Sequence, residues 1–94
     1  MPSSVEDQRF APATTLSWND AGDELTLFDS ACDRYFALNG PAVAIWRELA
    51  SGKTVAEAND ALTARFDAPR TAIAKDVADF VRGALDRRLL IALP

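Results

Sequence analysis

The chain has no histidine and a single cysteine, Cys32. Without imidazole, the usual general base and the usual ligand for zinc, iron or copper are both missing, so hydrolytic triads and most metalloenzymes are excluded. One thiol makes neither an internal disulfide nor a thiolate cluster. With no histidine to draw off its proton, Cys32 is expected to be a buried or half-buried, unreactive thiol. The four glycines, Gly22, Gly40, Gly52 and Gly83, are dispersed, and none belongs to a phosphate-cradling G-x-G-x-x-G or G-x-x-x-x-G-K loop. No cofactor is expected. No apolar run approaches the ~18 residues of a membrane span, and the N-terminal MPSSVEDQRF lacks the basic start and apolar stretch of a secretory signal. The expectation is a cytoplasmic domain with no membrane partner.

What is present is an ordinary globular mixture, 49% apolar and 26% charged over 94 residues, enough for one small core and no second one. The net charge of −4 is unevenly placed. Glu6, Asp7, Asp20, Asp23, Glu24, Asp29 and Asp33 crowd the first third against Arg9 and Arg34. Arg70, Lys75, Arg82, Arg87 and Arg88 outnumber Asp76, Asp79 and Asp86 at the other end. An acidic total argues against sequence-independent nucleic-acid binding, which needs several uncompensated phosphate contacts.

Three short strands are predicted. Thr14 to Trp18 alternates weakly and runs into the turn-forming Asn19-Asp20-Ala21-Gly22-Asp23; Leu25 to Phe28 resumes the extended pattern; and Arg34 to Leu38 takes it up again after Asp29 to Asp33. Residues 1–12, with Pro2 and Pro12, are expected to form a flexible arm, and residues 13–94 the single domain. Asn39 is placed as the N-cap of a first helix with Pro41 in its first turn and Val43, Trp46, Leu49 and Ala50 at helical spacing. Thr54-Val55-Ala56-Glu57 is a capping box, followed by a stripe of Val55, Ala58, Leu62 and Phe66. Pro69 opens a third helix with an apolar face of Ile73, Val77, Phe80, Val81, Ala84 and Leu85. The apolar tail Leu89 to Leu93 must dock somewhere. The result is an α+β, winged-helix-like fold: a three-stranded antiparallel sheet followed by three helices.

Two features that suggest chemistry have simpler explanations. Asp76 and Asp79 share one helix at a spacing that suits paired carboxylates, but Lys75, Arg82 and Asp86 place them on a solvated flank. Trp18 and Trp46 are read as core or half-core residues. A small sheet, however, has two edges of unpaired amides and carbonyls, and an extended peptide can add to such an edge. Arg34 to Leu38 is the candidate edge because it leads straight into the helices. On a helical wheel at ~100° per residue, Asp76, Gly83 and Arg87 flank one side of the third helix's apolar face. A peptide between strand and helix meets these residues, with Phe80 at the floor.

The segments "YFALNGPAVAIWREL", "TVAEANDALTARFDA" and "DVADFVRGALDRRLL", in this order and spacing, resemble the PqqD-like family, the precursor-peptide recognition elements of ribosomally made natural products. The resemblance spans residues 25–91. It implies a non-enzymatic domain that binds the leader of a precursor peptide as an added strand between the third strand and the third helix. Its further partner is a modifying enzyme, such as a leader peptidase or another maturation enzyme. Carried over by position, Tyr35, Phe36 and Ala37 pair with the leader, and Asp76, Phe80 and their neighbours read its side chains. Members acting in pyrroloquinoline quinone synthesis carry a Pro-Glu-Gly segment before the Leu-Asn, where this chain has Asp29 to Arg34. That departure points away from quinone synthesis, and the Tyr-Phe-x-Leu-Asn and Ile-Trp-Arg-x-Leu details more closely resemble the stand-alone proteins of lasso-peptide clusters. A quinone-pathway peptide chaperone and a winged-helix DNA-binding regulator are the alternatives, the latter weakened by the aspartates interleaved along the third helix.

Overall fold

A computed structural model describes residues 7–93. Its elements are β1 (Phe10–Pro12), β2 (Leu16–Asp20), β3 (Glu24–Asp29), β4 (Arg34–Asn39), α1 (Pro41–Ala50), α2 (Val55–Phe66), α3 (Arg70–Asp86) and β5 (Leu90–Ala92). The three-stranded antiparallel sheet followed by three helices is the α+β arrangement expected. Its strand order is β2-β3-β4.

Turn chemistry sets the register of this sheet. Between β2 and β3 the Ala21 amide donates to the Glu24 carbonyl at 2.9 Å. Gly22 takes φ +90, a value that costs glycine least, and its amide is received by the Asp20 carboxylate at 3.0 Å. Between β3 and β4, Asp29 organises the loop: its carboxylate accepts from the Thr15 hydroxyl at 2.7 Å and from the Ala31 amide at 2.9 Å. These bonds, the Thr15 hydroxyl first, hold its pKa below the usual carboxylate range. Cys32 sits in this loop and is exposed, contrary to the expected burial, because the turn carries it away from the core. Loss of solvent and the bond from its Sγ to Asp29 push the thiol pKa up, so exposure is not accompanied by thiolate character.

The strand into α1 runs one residue further than expected. Asn39 belongs to β4, and Gly40 is the N-cap at φ 59, ψ −139, with no side-chain capping bond. A glycine-tolerated backbone angle makes the sharp turn from sheet to helix, and Pro41 removes one of the first-turn donors that Asn39 was expected to satisfy. The capping box of α2 forms as read: Thr54 Oγ1 accepts from the Glu57 amide at 3.1 Å while Glu57 accepts from the Thr54 amide at 2.8 Å.

One apolar core joins these elements. Leu25 and Leu27 of β3, Val43, Ile45, Trp46 and Leu49 of α1, Val55, Ala58 and Leu62 of α2, and Val77 and Ala84 of α3 are all buried. Trp46 meets the half-exposed Trp18 edge-on at 5.6 Å between ring centroids. Two residues assigned to apolar stripes face outward instead. Phe66 lies in the last turn of α2 beneath the Arg65 guanidinium, 5.4 Å from its ring centre, and Leu85 is exposed near the end of α3.

The chain's two ends close the domain together. The tail docks as β5, antiparallel to β1, with Phe10 opposite Ala92 and Pro12 opposite Leu90. Within the flexible arm expected over residues 1–12, residues 9–12 are instead held in place: Phe10 is 2% exposed, and Arg9 bridges to Thr54. Pairing with a strand from the far end of the chain overrides the local polar composition. The remainder of that arm, residues 1–6, lies outside the described residues. No helix among the described residues is long and apolar enough to cross a membrane.

Candidate functional site

β4 is an edge strand. β3 is its neighbour on one side, and among the described residues no strand lies on the other. The Leu89 to Leu93 tail pairs with β1 instead of covering this edge.

Which backbone groups are open follows from the hairpin. The Ala21 amide bonds to Glu24 and the Ser30 amide to Thr15, so Glu24, Thr26, Phe28 and Ser30 turn their peptide groups toward β2. Successive residues of an antiparallel strand turn theirs to alternate sides. Leu25, Leu27 and Asp29 therefore face β4, where their partners are Leu38, Phe36 and Arg34. The amides and carbonyls of Tyr35, Ala37 and Asn39 point away from the sheet. Of the three residues expected to pair with an added strand, Tyr35 and Ala37 offer free groups, while Phe36 uses its own within the ladder.

Side chains alternate across the sheet in the other sense. Phe36 and Leu38 pack against the core and are half-buried. Tyr35 stands on the outer face, 74% exposed, its ring centroid 4.7 Å from that of Phe28. Ala37 is exposed opposite Thr26, and Arg34 is exposed at the start of the strand.

A cleft of about 200 Å³ opens where β4 meets the helices, with Leu38 and Ala42 on one wall and Asp79, Phe80, Gly83, Ala84 and Arg87 of α3 on the other. Leu89 completes the lining. Four of the residues selected from the sequence, Leu38, Phe80, Gly83 and Arg87, thus converge. Asp76 does not join them: it borders a separate small pit with Pro41, Ile45, Phe66 and Ile73. The sequence reading missed Ala42, Asp79, Ala84 and Leu89 as lining residues. Asp79 was legible, since it sits one turn before Gly83 on the same flank of the helix, whereas Ala42 and Leu89 enter through the strand-to-helix turn and the docked tail.

The cleft is apolar at its floor and charged at its rim. Asp79 is shared between Lys75 and Arg82, each at 3.4 Å. Gly83 leaves open space, as a Cβ placed there meets no atom within 4 Å. An apolar trough beside unpaired main-chain donors and acceptors can hold an extended peptide by its backbone and its alternate side chains.

No curated protein matches the chain. Among solved structures it is similar to TbiB1 in complex with the TbiA(beta) leader peptide, with 28% identity and a TM-score of 0.81 over 85% of this chain and 93% of that one. It is also similar to a lasso peptide synthetase B1 complexed with the leader peptide, with 26% identity and a TM-score of 0.79 over 92% of this chain and 99% of that one. Residues 24–90 match the family model described as coenzyme PQQ synthesis protein D, the segment from β3 to β5 that carries both the open edge and the cleft, and the chain belongs to the PqqD family.

Proposed function

We propose that this chain is a leader-peptide-binding adaptor of lasso-peptide biosynthesis. The observation that carries the reading is the open β4 edge lying against the cleft beneath α3, in a chain whose solved relatives are complexes with leader peptides. The leader adds as a strand to β4, exchanging main-chain hydrogen bonds with Tyr35 and Ala37 and lowering alternate side chains between Leu38, Phe80 and Gly83. Arg34 stands where this path begins, at the start of β4, and Phe36 supports it from the core side.

The chain acts by binding and performs no bond chemistry of its own. It holds the precursor extended in the cytoplasm and hands it to a modifying enzyme, such as the leader peptidase. The interleaved charges of α3 favour this reading over a duplex-binding helix, because Asp79, 3.4 Å from both Lys75 and Arg82, offsets part of the positive charge that phosphate contacts need.

The test is titration of the purified protein with the synthetic leader of the precursor encoded beside its gene. Saturable binding with Kd below ~100 μM, about −5.5 kcal/mol, supports the adaptor. No binding at that concentration contradicts it.

A further inference from the structure

The cleft is electrically lopsided. Its lining contains one acid, Asp79, and one base, Arg87. Asp79 already has Lys75 and Arg82 at 3.4 Å. Arg87 has no side-chain hydrogen bond or ion pair among the described residues, although its backbone amide closes α3 on the Gly83 carbonyl at 3.0 Å. The next residue, Arg88, is equally unpaired, and the nearest acid in sequence, Asp86, lies about 100° away around the helix. A base at a helix C-terminus is favoured by the macrodipole. That explains the residue type but not its position in the wall of a groove beside Leu38 and Leu89. The protein as a whole carries −4, so a cation left unmatched here, where an incoming chain is to lie, is a local exception to the protein's own field.

Resting on the adaptor reading, we infer that Arg87 selects the bound peptide: the leader carries an Asp or Glu in the register that brings it to the α3 C-terminal end of the cleft, where Arg87 takes its carboxylate. Strand addition by itself is indifferent to register, because the backbone is the same at every step and a slip of two residues restores the same faces. Apolar side chains at the floor narrow the choice only by size. A single carboxylate meeting a guanidinium at the rim fixes the register and discourages neutral or basic segments that fit sterically. The long-range repulsion between an acidic peptide and an acidic protein is screened at physiological salt, whereas the short contact is less so.

A double-mutant cycle tests this. The synthetic leader of the precursor encoded beside the gene is prepared in its native form and with each Asp or Glu changed singly to the amide. Each peptide is titrated against the wild type, Arg87→Gln and Arg87→Lys. One acidic position is expected to couple: Arg87→Gln weakens native-leader binding by about fivefold, has no further effect on the peptide lacking that carboxylate, and Arg87→Lys recovers part of the loss. Arg87 is exposed, so equal thermal midpoints for the variants show that binding is being read and not folding. If the native leader binds the wild type but no acidic position couples to Arg87, or the leader contains no acid, the selection role is overturned while the adaptor stands. If the native leader does not bind at all, the adaptor reading itself fails.

Discussion

Leu38 at the end of β4 and Phe80 in the middle of α3 line one cleft, although they belong to different layers and both contribute to the edge of the core. That meeting turns an unpaired strand edge into a place where a peptide's side chains also have somewhere to go.

Gly83 offers a way to separate binding from folding. A Cβ there meets nothing within 4 Å and α3 is regular through this position. Gly83→Ala should stabilise the protein by about 0.5–1 kcal/mol through lower backbone entropy in the unfolded chain. Gly83→Leu keeps the good helix propensity and fills the cleft, so leader affinity should fall by about tenfold or more while the thermal midpoint does not drop. Undiminished binding by the leucine variant would place the peptide elsewhere.

The two faces of β4 predict opposite outcomes for proline. The Ala37 amide points out of the sheet and the Phe36 amide into the ladder with Leu27. Proline is tolerated on an edge strand where its missing N–H faces outward. Ala37→Pro should remain folded and lose leader binding, whereas Phe36→Pro should be strongly destabilised. Circular dichroism and titration read both, and equal stability for the two variants would contradict the assigned polarity of the strand.

The Asp20–Arg47 pair ties the β2–β3 turn to α1, with the guanidinium also reaching the Gly22 carbonyl at 2.7 Å. Bonds from Arg47 and then from the Gly22 amide hold the Asp20 pKa down to about 2. A carboxylate whose folded pKa lies below its ordinary value of 3.8 contributes stability that is complete above that value and is lost as pH falls toward 2. Thermal midpoints of the wild type and Arg47→Gln should therefore differ at pH 6 and converge near pH 2. Asp29 and Glu57, also lowered, keep some acid sensitivity in the variant.

Much of this is legible in the sequence. The capping box fixed the start of α2 because Thr54 and Glu57 satisfy each other's amides locally, and the apolar spacing of Ile73, Val77, Val81 and Ala84 described the buried face of α3. Phe36 and Leu38 were recognisable as one face of a strand next to a helix start. What was not legible depended on partners distant in sequence. Phe10 sits in a polar, proline-flanked segment and becomes core only through β5. Leu89 joins the cleft only because the tail is pulled back by the bond from its amide to the Ala84 carbonyl at 2.8 Å. Asp76 misled for a simpler reason: a helical wheel gives direction but not depth along the axis, and a different pit lies beside that turn.

The N-terminal strand has its own consequence. Phe10 is among the largest fully buried side chains, so Phe10→Ala should cost about 3–5 kcal/mol in a domain this small. The urea midpoint measures it. A loss under 1 kcal/mol would mean that the β1–β5 pairing contributes little to the core.

Strand addition at β4 depends on which of its amides are open, and residue-resolved hydrogen exchange by NMR reads them one at a time. In the free protein the Phe36 and Leu38 amides should exchange slowly and those of Tyr35 and Ala37 quickly; saturating leader should slow Tyr35 and Ala37 markedly and leave the other two little changed. Slow exchange at Tyr35 and Ala37 before any peptide is added, or no change there once the leader is bound, would contradict strand addition at this edge.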